Sequence, residues 1–389
     1  MIMAIPLKYN FRSLVVRRVS TGMTVAGIAL VVAVFVGLMA LARGLETAFV
    51  ATGEPRNIVV LRQGSPVETV SVVPQEALQT LTYLEGVATD EKGQPLVSAE
   101  AIVVVSLPRR RSGDRSNVLI RGVSPQAFVL RPGVRLVAGR PFQPGLRELI
   151  VSRALAQRVQ GMGLGERVKL GRGEWEVVGL FEANRTAFDS EVWADVHELA
   201  EEFNRQEYSS VLLRAVDAAA QTALIRHISE DQRLHLKALD EEVYYAEQTK
   251  AAVPIKALGM LLATLMAIGA SFAAMNTMYA SVAYRSRETA ILQVLGFRRR
   301  SILLSFLIES LILSLLGGLL GCLLALPIHG VTTATTNFRT LSEITFAFRI
   351  TPDLLVGGLL FALLMGAVGG VLPARLAARQ LIVHVLRGS

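Results

Sequence analysis

The sequence predicts a membrane protein built from four transmembrane α-helices, with a large α+β extracytoplasmic domain between the first and second spans. Three observations carry this reading. Of 389 residues, 52% are hydrophobic and only 19% are charged, with a mean hydropathy of +0.45, whereas soluble domains carry about 25% charge. The deficit is concentrated in four windows without any Asp, Glu, Lys or Arg, residues 19–42, 257–284, 310–338 and 354–374. Each is long enough for a helix to cross a ~30 Å hydrocarbon core, which takes about 20 apolar residues. Finally, the charge is sorted by segment. The stretch before Val19 is +4, residues 285–300 are +4 and the tail after Ala374 is +3, while residues 44–254 hold 24 basic against 28 acidic groups. Four spans put the three basic segments on one side, which the positive-inside rule makes cytoplasmic. The expected topology is therefore multi-pass, with both termini cytoplasmic and residues 44–254 outside.

The N-terminal part, residues 1–43, divides into an interfacial helix and the first span. Leu7, Phe11, Leu14 and Val15 fall at helical spacing among Lys8, Arg12 and Arg18, as in a helix lying in the headgroup layer. The apolar run that follows is longer than the 7–15 residues of a signal-peptide core, so it reads as an anchor.

Residues 44–253 form the expected extracytoplasmic core domain. Short apolar runs at 57–61, 67–73, 101–107 and 118–123 read as strands, and Pro74 opens a helix to Tyr83. Residues 148–151 read as a strand and 152–159 as a helix. Gly171-Arg172-Gly173 joins 167–170 to 174–180 as a hairpin, 195–203 is helical, 209–215 a strand and 218–229 a helix. Short strands mixed with helices indicate an α+β domain. Residues 238–250 read as a helix running into the second span. The many carboxylates here, interspersed with arginines, read as a solvated surface.

Residues 254–389 form a C-terminal domain of three spans. Gly317 with Gly321, and Gly366 with Gly370, are G-x-x-x-G pairs that let membrane helices approach closely. The Gly-rich spans are expected to make the seam of a dimer. Glu309 lies about 13 Å along its helix from the basic cluster, where a carboxylate pairs with a base or faces protein.

Several chemistries find no motif. None of the six lysines follows a glycine, so no G-x-x-x-x-G-K-[ST] loop can be written, and G-x-S-x-G, S-x-x-K and H-E-x-x-H are absent. The five histidines and the single Cys322 give neither a metal-ligand spacing nor an intrachain disulfide. The dispersed basic charge argues against nucleic acid as a partner. The expectation is a non-enzymatic chain that binds no cofactor.

The most informative stretch joins the second and third spans, Tyr284-Arg-Ser-Arg-Glu-Thr-Ala-Ile-Leu-Gln-Val-Leu-Gly-Phe-Arg-Arg-Arg-Ser301. Residues 286–295 read as a short helix with Ser286 as cap, Glu288 near the positive end of the dipole and Gly296 as the stop. Ile291, Val294 and Leu295 make an apolar strip. Such a strip either docks in a partner's groove or rests on lipid, and spacing alone does not separate the two.

This stretch, continued through "SILLSFLIESLILSLLGGLLGCLLALP", resembles the signature of the FtsX/MacB-like permeases. The tail "LPARLAARQLIVHVLRG" is similar to the ending of that family, departing from it at Ile382 and His384. "LIRGVSPQAF", "LVAGRPF", "LIVSRALAQRV", "LGERVKL" and "WEVVGLF" resemble its extracytoplasmic core. The resemblance implies a type VII, mechanotransmission-type ABC transporter permease working as a dimer, identical or mixed. A pair of ATPase subunits would hold ATP and magnesium. A periplasmic adaptor and an outer-membrane protein are further partners, and export or extraction of a substrate is the expected task. The family's coupling helix maps onto Arg287, Glu288, Ile291, Leu295 and Gly296, and its early span glutamate onto Glu309. The same fold could instead serve as a regulator of an extracellular cell-wall hydrolase.

Overall fold

Each uncharged window lies in or largely overlaps a long helix in the computed structural model, which describes residues 18–110, 112–337 and 340–379. The expected interfacial helix at residues 7–19 falls almost wholly outside the described residues. In chain order the helices are α1 (Arg18–Val50), α2 (Gln75–Thr82), α3 (Ala127–Leu130), α4 (Arg153–Ala156), α5 (Val196–Glu202), α6 (Ala218–Glu230), α7 (Glu241–Gln248), α8 (Val253–Tyr284), α9 (Ser286–Val294), α10 (Arg299–Ala325) and α11 (Pro352–Arg379). Of these, α1, α8, α10 and α11 are long and apolar enough to cross a membrane.

The chain forms two units. One holds residues 1–43, 254–331 and 348–389 and contains the spans; the other holds 44–253 and 332–347. Residues 332–347, expected within the C-terminal domain, thus fold with the interspan unit. They form a hairpin of β11 (Thr332–Thr336) and β12 (Glu343–Ala347) whose β-branched residues favour a strand.

In the span unit, small residues set the helix contacts. A Cβ on Gly317 would stand 2.8 Å from Ile28 Cβ, and one on Gly321 2.5 Å from the Ala29 carbonyl, so α10 lies directly against α1. Gly366 and Gly370 of α11 face Ser314 and Ser310 of α10, and the Ser310 hydroxyl donates to the Gly366 carbonyl at 2.6 Å. Lipid offers no hydrophobic gain for such contacts, so close packing and interhelical hydrogen bonds supply the attraction. Both glycine pairs are therefore filled by the chain's own helices.

Besides the hairpin, the interspan unit is built on one ten-stranded mixed sheet. The remaining strands are β1 (Asn57–Arg62), β2 (Val97–Pro108), β3 (Arg115–Val123), β4 (Arg135–Gly139), β5 (Glu148–Ser152), β6 (Arg167–Leu170), β7 (Gly173–Glu182), β8 (Glu191–Asp195), β9 (Ser210–Arg214) and β10 (Leu236–Asp240). Their order is β10-β1-β9-β2-β3-β8-β5-β7-β4, with β6 also on β7; β3–β8 and β5–β7 are parallel. The period-2 side-chain alternation of strands sends Ala99, Ala101, Val103, Val118, Ile120, Val192, Val211 and Leu213 to one face. There they meet Leu81 of α2, Leu199 of α5 and Leu224 and Ile228 of α6 in the main core.

Three expected elements differ. Residues 67–73 are not a strand: Glu68–Val70 make a 3-10 turn, because the Glu68 side chain is drawn into the interior by Arg121. The helix expected from residue 238 begins at Glu241, since residues 236–240 pair with β1 as an edge strand. The helix after Ser152 stops at Ala156.

Candidate functional site

The loop singled out in the sequence folds as a helix. Arg285 occupies the cap position of α9 and no side chain caps it, so Ser286 is the first helical residue rather than the cap. At the other end Gly296 has φ +91°, the Gly296 amide donates to the Gln293 carbonyl and Phe297 to Leu292. This is the left-handed glycine stop, with both orphan carbonyls satisfied. Thr289 and Ala290 are buried, while Arg287 and Glu288 are exposed. Ile291, Val294 and Leu295 are 54%, 64% and 66% exposed, an apolar strip uncovered among the described residues.

The helix is tied down by a charge pair. The Arg285 guanidinium donates to Glu309 at 2.9 Å and to Glu288 at 3.3 Å, and stands 5.3 Å from the Phe306 ring centroid. Ser281 donates to the other Glu309 oxygen at 3.4 Å. Glu309 and Arg285 are both buried. The structure thus brings together Glu309 and Glu288 through Arg285, a residue the sequence reading counted only as a positive charge. Its signal was available: an arginine at the exit of one span and a carboxylate early in the next. Gly317, Gly321, Gly366 and Gly370 lie apart from α9 in sequence and serve helix packing.

A second set of charges escaped the sequence reading entirely. On the sheet face opposite the main core, the same alternation aligns Glu100 of β2, Arg121 of β3, Glu191 of β8 and Ser210 of β9. Arg121 forks onto Glu191 with two 2.8 Å hydrogen bonds and reaches Glu68 at 2.9 Å and Glu100 at 2.5 Å. Arg131 bonds Glu100 at 2.6 Å and Glu241, the first residue of α7, at 3.0 Å. The Trp193 indole donates to Glu191 at 2.9 Å, Ser210 to Glu68 at 2.7 Å and Asn57 to Glu241 at 2.8 Å. All six charged groups are buried, so these carboxylates are not the solvated surface expected of them. Burial pushes the Glu68 carboxyl up, but the Arg121 charge and its hydrogen bonds outweigh that and leave it below its ordinary value. Four carboxylates against two guanidiniums hold α7 and the Glu68 turn to the sheet. Fully hydrogen-bonded networks of this kind fix geometry more than they add stability.

Among the described residues no cluster of His, Cys, Asp or Glu could hold a metal ion.

Four spans, a folded domain between the first and second, and a tethered short helix between the second and third define a class of polytopic permease. Residues 21–230 match the MacB-like periplasmic core domain and residues 260–382 the FtsX-like permease C-terminal domain. The chain belongs to the MacB/FtsX family of ABC transporter permeases. It is 27% identical over 388 residues to the macrolide export ATP-binding/permease protein MacB 1 of Aeromonas hydrophila, covering 92% of this chain and 57% of that protein. It is 25% identical over 402 residues to the uncharacterized ABC transporter permease YknZ of Bacillus subtilis, covering 98% of both. The chain thus spans a little over half the length of the MacB relatives it matches. The extracellular domain of a YknZ transporter from Gram-positive bacteria aligns with 47% of this chain and 99% of its own, at 19% identity and a TM-score of 0.36.

Proposed function

We propose that this chain is the permease subunit of an ABC transporter, coupling ATP hydrolysis by a separate partner ATPase to movements of its interspan domain, for export or extraction of a substrate. The observation that carries the reading is the apolar strip of Ile291, Val294 and Leu295, exposed on a helix rooted in the membrane unit by Arg285 and Glu309. A strip of this kind fits a groove on an ATPase subunit, and covering it contributes on the order of 1 kcal/mol per side chain. Arg287 and Glu288 would contact the rim of that groove. ATP and magnesium would sit on the partner, in keeping with relatives whose names join ATP-binding to permease. The chain itself would do no covalent chemistry. Both termini would face the cytoplasm and the interspan domain the outside. A second permease copy would complete the complex, and an adaptor and an outer-membrane protein would extend it.

The test replaces Ile291 or Leu295 with Glu in the chain co-expressed with its ATPase. The variants should remain folded, lose ATPase co-purification and lose ATP-dependent activity. A complex that assembles and keeps full activity refutes the docking assignment. A cell-wall hydrolase co-purifying in place of an adaptor would favour the regulatory role of the same fold.

A further inference from the structure

One polar side chain of the second span is unused by the coupling helix and its anchor. Asn276 lies eight residues, about 12 Å, before Tyr284 at the end of α8, inside the uncharged window 257–284. Other polar side chains of α8 are satisfied within the chain. Thr264 donates to the Met260 carbonyl and Thr277 to the Ala273 carbonyl, Thr277 also shares a hydrogen bond with Thr24, and Ser281 donates to Glu309. The Asn276 carboxamide is exposed and meets no hydrogen-bonding partner among the described residues. Exposure on a membrane span means contact with hydrocarbon, where no water can serve the amide and leaving it alone is costly.

The face that Asn276 occupies has the pattern of a helix seam. Gly269, Ala273, Asn276, Ala280 and Ala283 are spaced 4, 3, 4 and 3 residues apart, and all five are exposed. A Cβ on Gly269 would meet nothing within 4 Å. Elsewhere α8 is covered, at Gly259 by Leu38 and Met39 of α1, and at Ser271 and Ala274 by Gly369 of α11. A mean spacing of 3.5 residues is that of a left-handed helix pair, and small side chains let two backbones come close enough for an amide to reach across.

The chemistry of the amide selects the occupant. A carboxamide is donor and acceptor at once, and lipid tails are neither. Copies of one chain enter the bilayer in one orientation, so they pair in parallel about a two-fold axis along the membrane normal. On that axis each Asn276 meets its own copy, and both amides are satisfied.

We propose that α8 packs against α8 of a second copy of this chain along Gly269, Ala273, Asn276, Ala280 and Ala283, with the two Asn276 carboxamides hydrogen-bonded to each other and fixing the register. This rests on the reading of the chain as one member of a permease pair, and names the surface that joins the two.

The test uses the full chain in the membranes of the expressing cells, with its single cysteine removed by Cys322→Ala. Oxidation should join the copies at Ala273→Cys, Ala280→Cys and Ala283→Cys, because facing positions bring Cα atoms within the ~7 Å a disulfide spans. Leu261→Cys and Ile268→Cys, also exposed but on another face of α8, should stay unjoined. In detergent, the dissociation constant read by energy transfer between labelled copies should rise roughly five- to thirtyfold in Asn276→Leu, the scale of one hydrogen-bonded pair between membrane helices. Asn276→Gln, which keeps the amide, should restore the pairing. Leucine is at home in lipid, so a role confined to the fold of α8 predicts no loss. Absence of cross-links at all three seam positions, cross-links as strong at Leu261→Cys and Ile268→Cys, or an Asn276→Leu dimer as tight as the wild type overturns the seam. Ile291→Glu, aimed at ATPase docking, should leave the cross-links unchanged. A chain that keeps its ATPase yet fails to cross-link sinks the seam alone; one that cross-links but never binds an ATPase supports the seam and sinks the coupling reading.

Discussion

Replacing Arg121 with Met tests the buried charge network directly. Arg121 makes five hydrogen bonds to three carboxylates, Glu68, Glu100 and Glu191, and is 1% exposed. Met keeps much of the volume but leaves those carboxylates facing one another, with only Glu100 still held by Arg131. Removing one partner of a buried pair costs about 3–5 kcal/mol. In a unit of this size that lowers Tm by roughly 6–20 °C, at about 2–4 °C per kcal/mol. Both tryptophans of the chain, Trp175 and Trp193, are buried in the interspan unit. Their fluorescence in the full-length protein therefore reports melting of this unit.

The pH dependence should change sign. In the wild type Glu68 is held below its ordinary value because Arg121 outweighs burial. Its stabilising contribution is present above about pH 4.3, the ordinary glutamate value, and is lost as pH falls through the lower folded value. Without Arg121, burial is opposed only by the smaller effects of Arg131 and the Ser210 hydrogen bond, and the carboxyl rises. The variant then gains relative stability on acidification, and its deficit in Tm shrinks between pH 8 and pH 5. A deficit of less than about 1 kcal/mol, or one that stays constant with pH, would show that the network does not carry its charges as the geometry requires.

Two further substitutions probe packing and capping. Gly317→Val should collide with Ile28 and cost about 1–3 kcal/mol as an overpacked contact, seen as lower yield of monodisperse protein, whereas Gly357→Val, with open space around it, should purify like the wild type; equal yields would refute the close α1–α10 approach. Asp195 caps α5 by accepting from the His197 and Glu198 amides. Asp195→Ala should cost about 1 kcal/mol, and an unchanged tryptophan melting curve would count against the cap.

What could be read from the sequence depended on whether the pattern was local. The spans were legible because their windows exclude charge over a helix-crossing length. The α9 strip was legible because Ile291, Val294 and Leu295 share one face. Most strands of the interspan unit announced themselves as β-branched runs between turn residues. The charge network did not, because its members are scattered singly over the chain. Glu100 sits inside Ser98-Ala99-Glu100-Ala101-Ile102 and Arg121 inside Leu119-Ile120-Arg121-Gly122-Val123. Both strands are covered on both faces, which erases the polar–apolar alternation that would have shown which face each charge enters. The usable signal was coarser: a lone charge within an otherwise apolar strand, repeated on several strands with both signs. Glu68 was hidden further, since Val67-Glu68-Thr69-Val70 satisfies a strand pattern until Arg121 is known to lie opposite. The 332–347 hairpin joins the interspan sheet's unit through Glu343, Thr345 and Leu341, whose partners Arg109, Ser190 and Asn117 lie more than 150 residues away in sequence.

The two units solve the same problem in different solvents. In the interspan unit the hydrophobic effect drives assembly of the sheet and its helices, so six charged groups can be buried because the surrounding apolar face already holds the structure together. Their role is to fix where α7 and the Glu68 turn attach. In the span unit that driving force is absent between helices, and attraction rests on glycine and serine contacts; a single uncompensated charge there would be costly, and Glu309 is accordingly met by Arg285 at the foot of α9. The one buried ion pair that spacing made conspicuous is thus also the one that anchors the exposed strip. A substitution at Glu309 should disturb α9 before it disturbs the spans, because the glycine and serine contacts of α1, α10 and α11 do not pass through it.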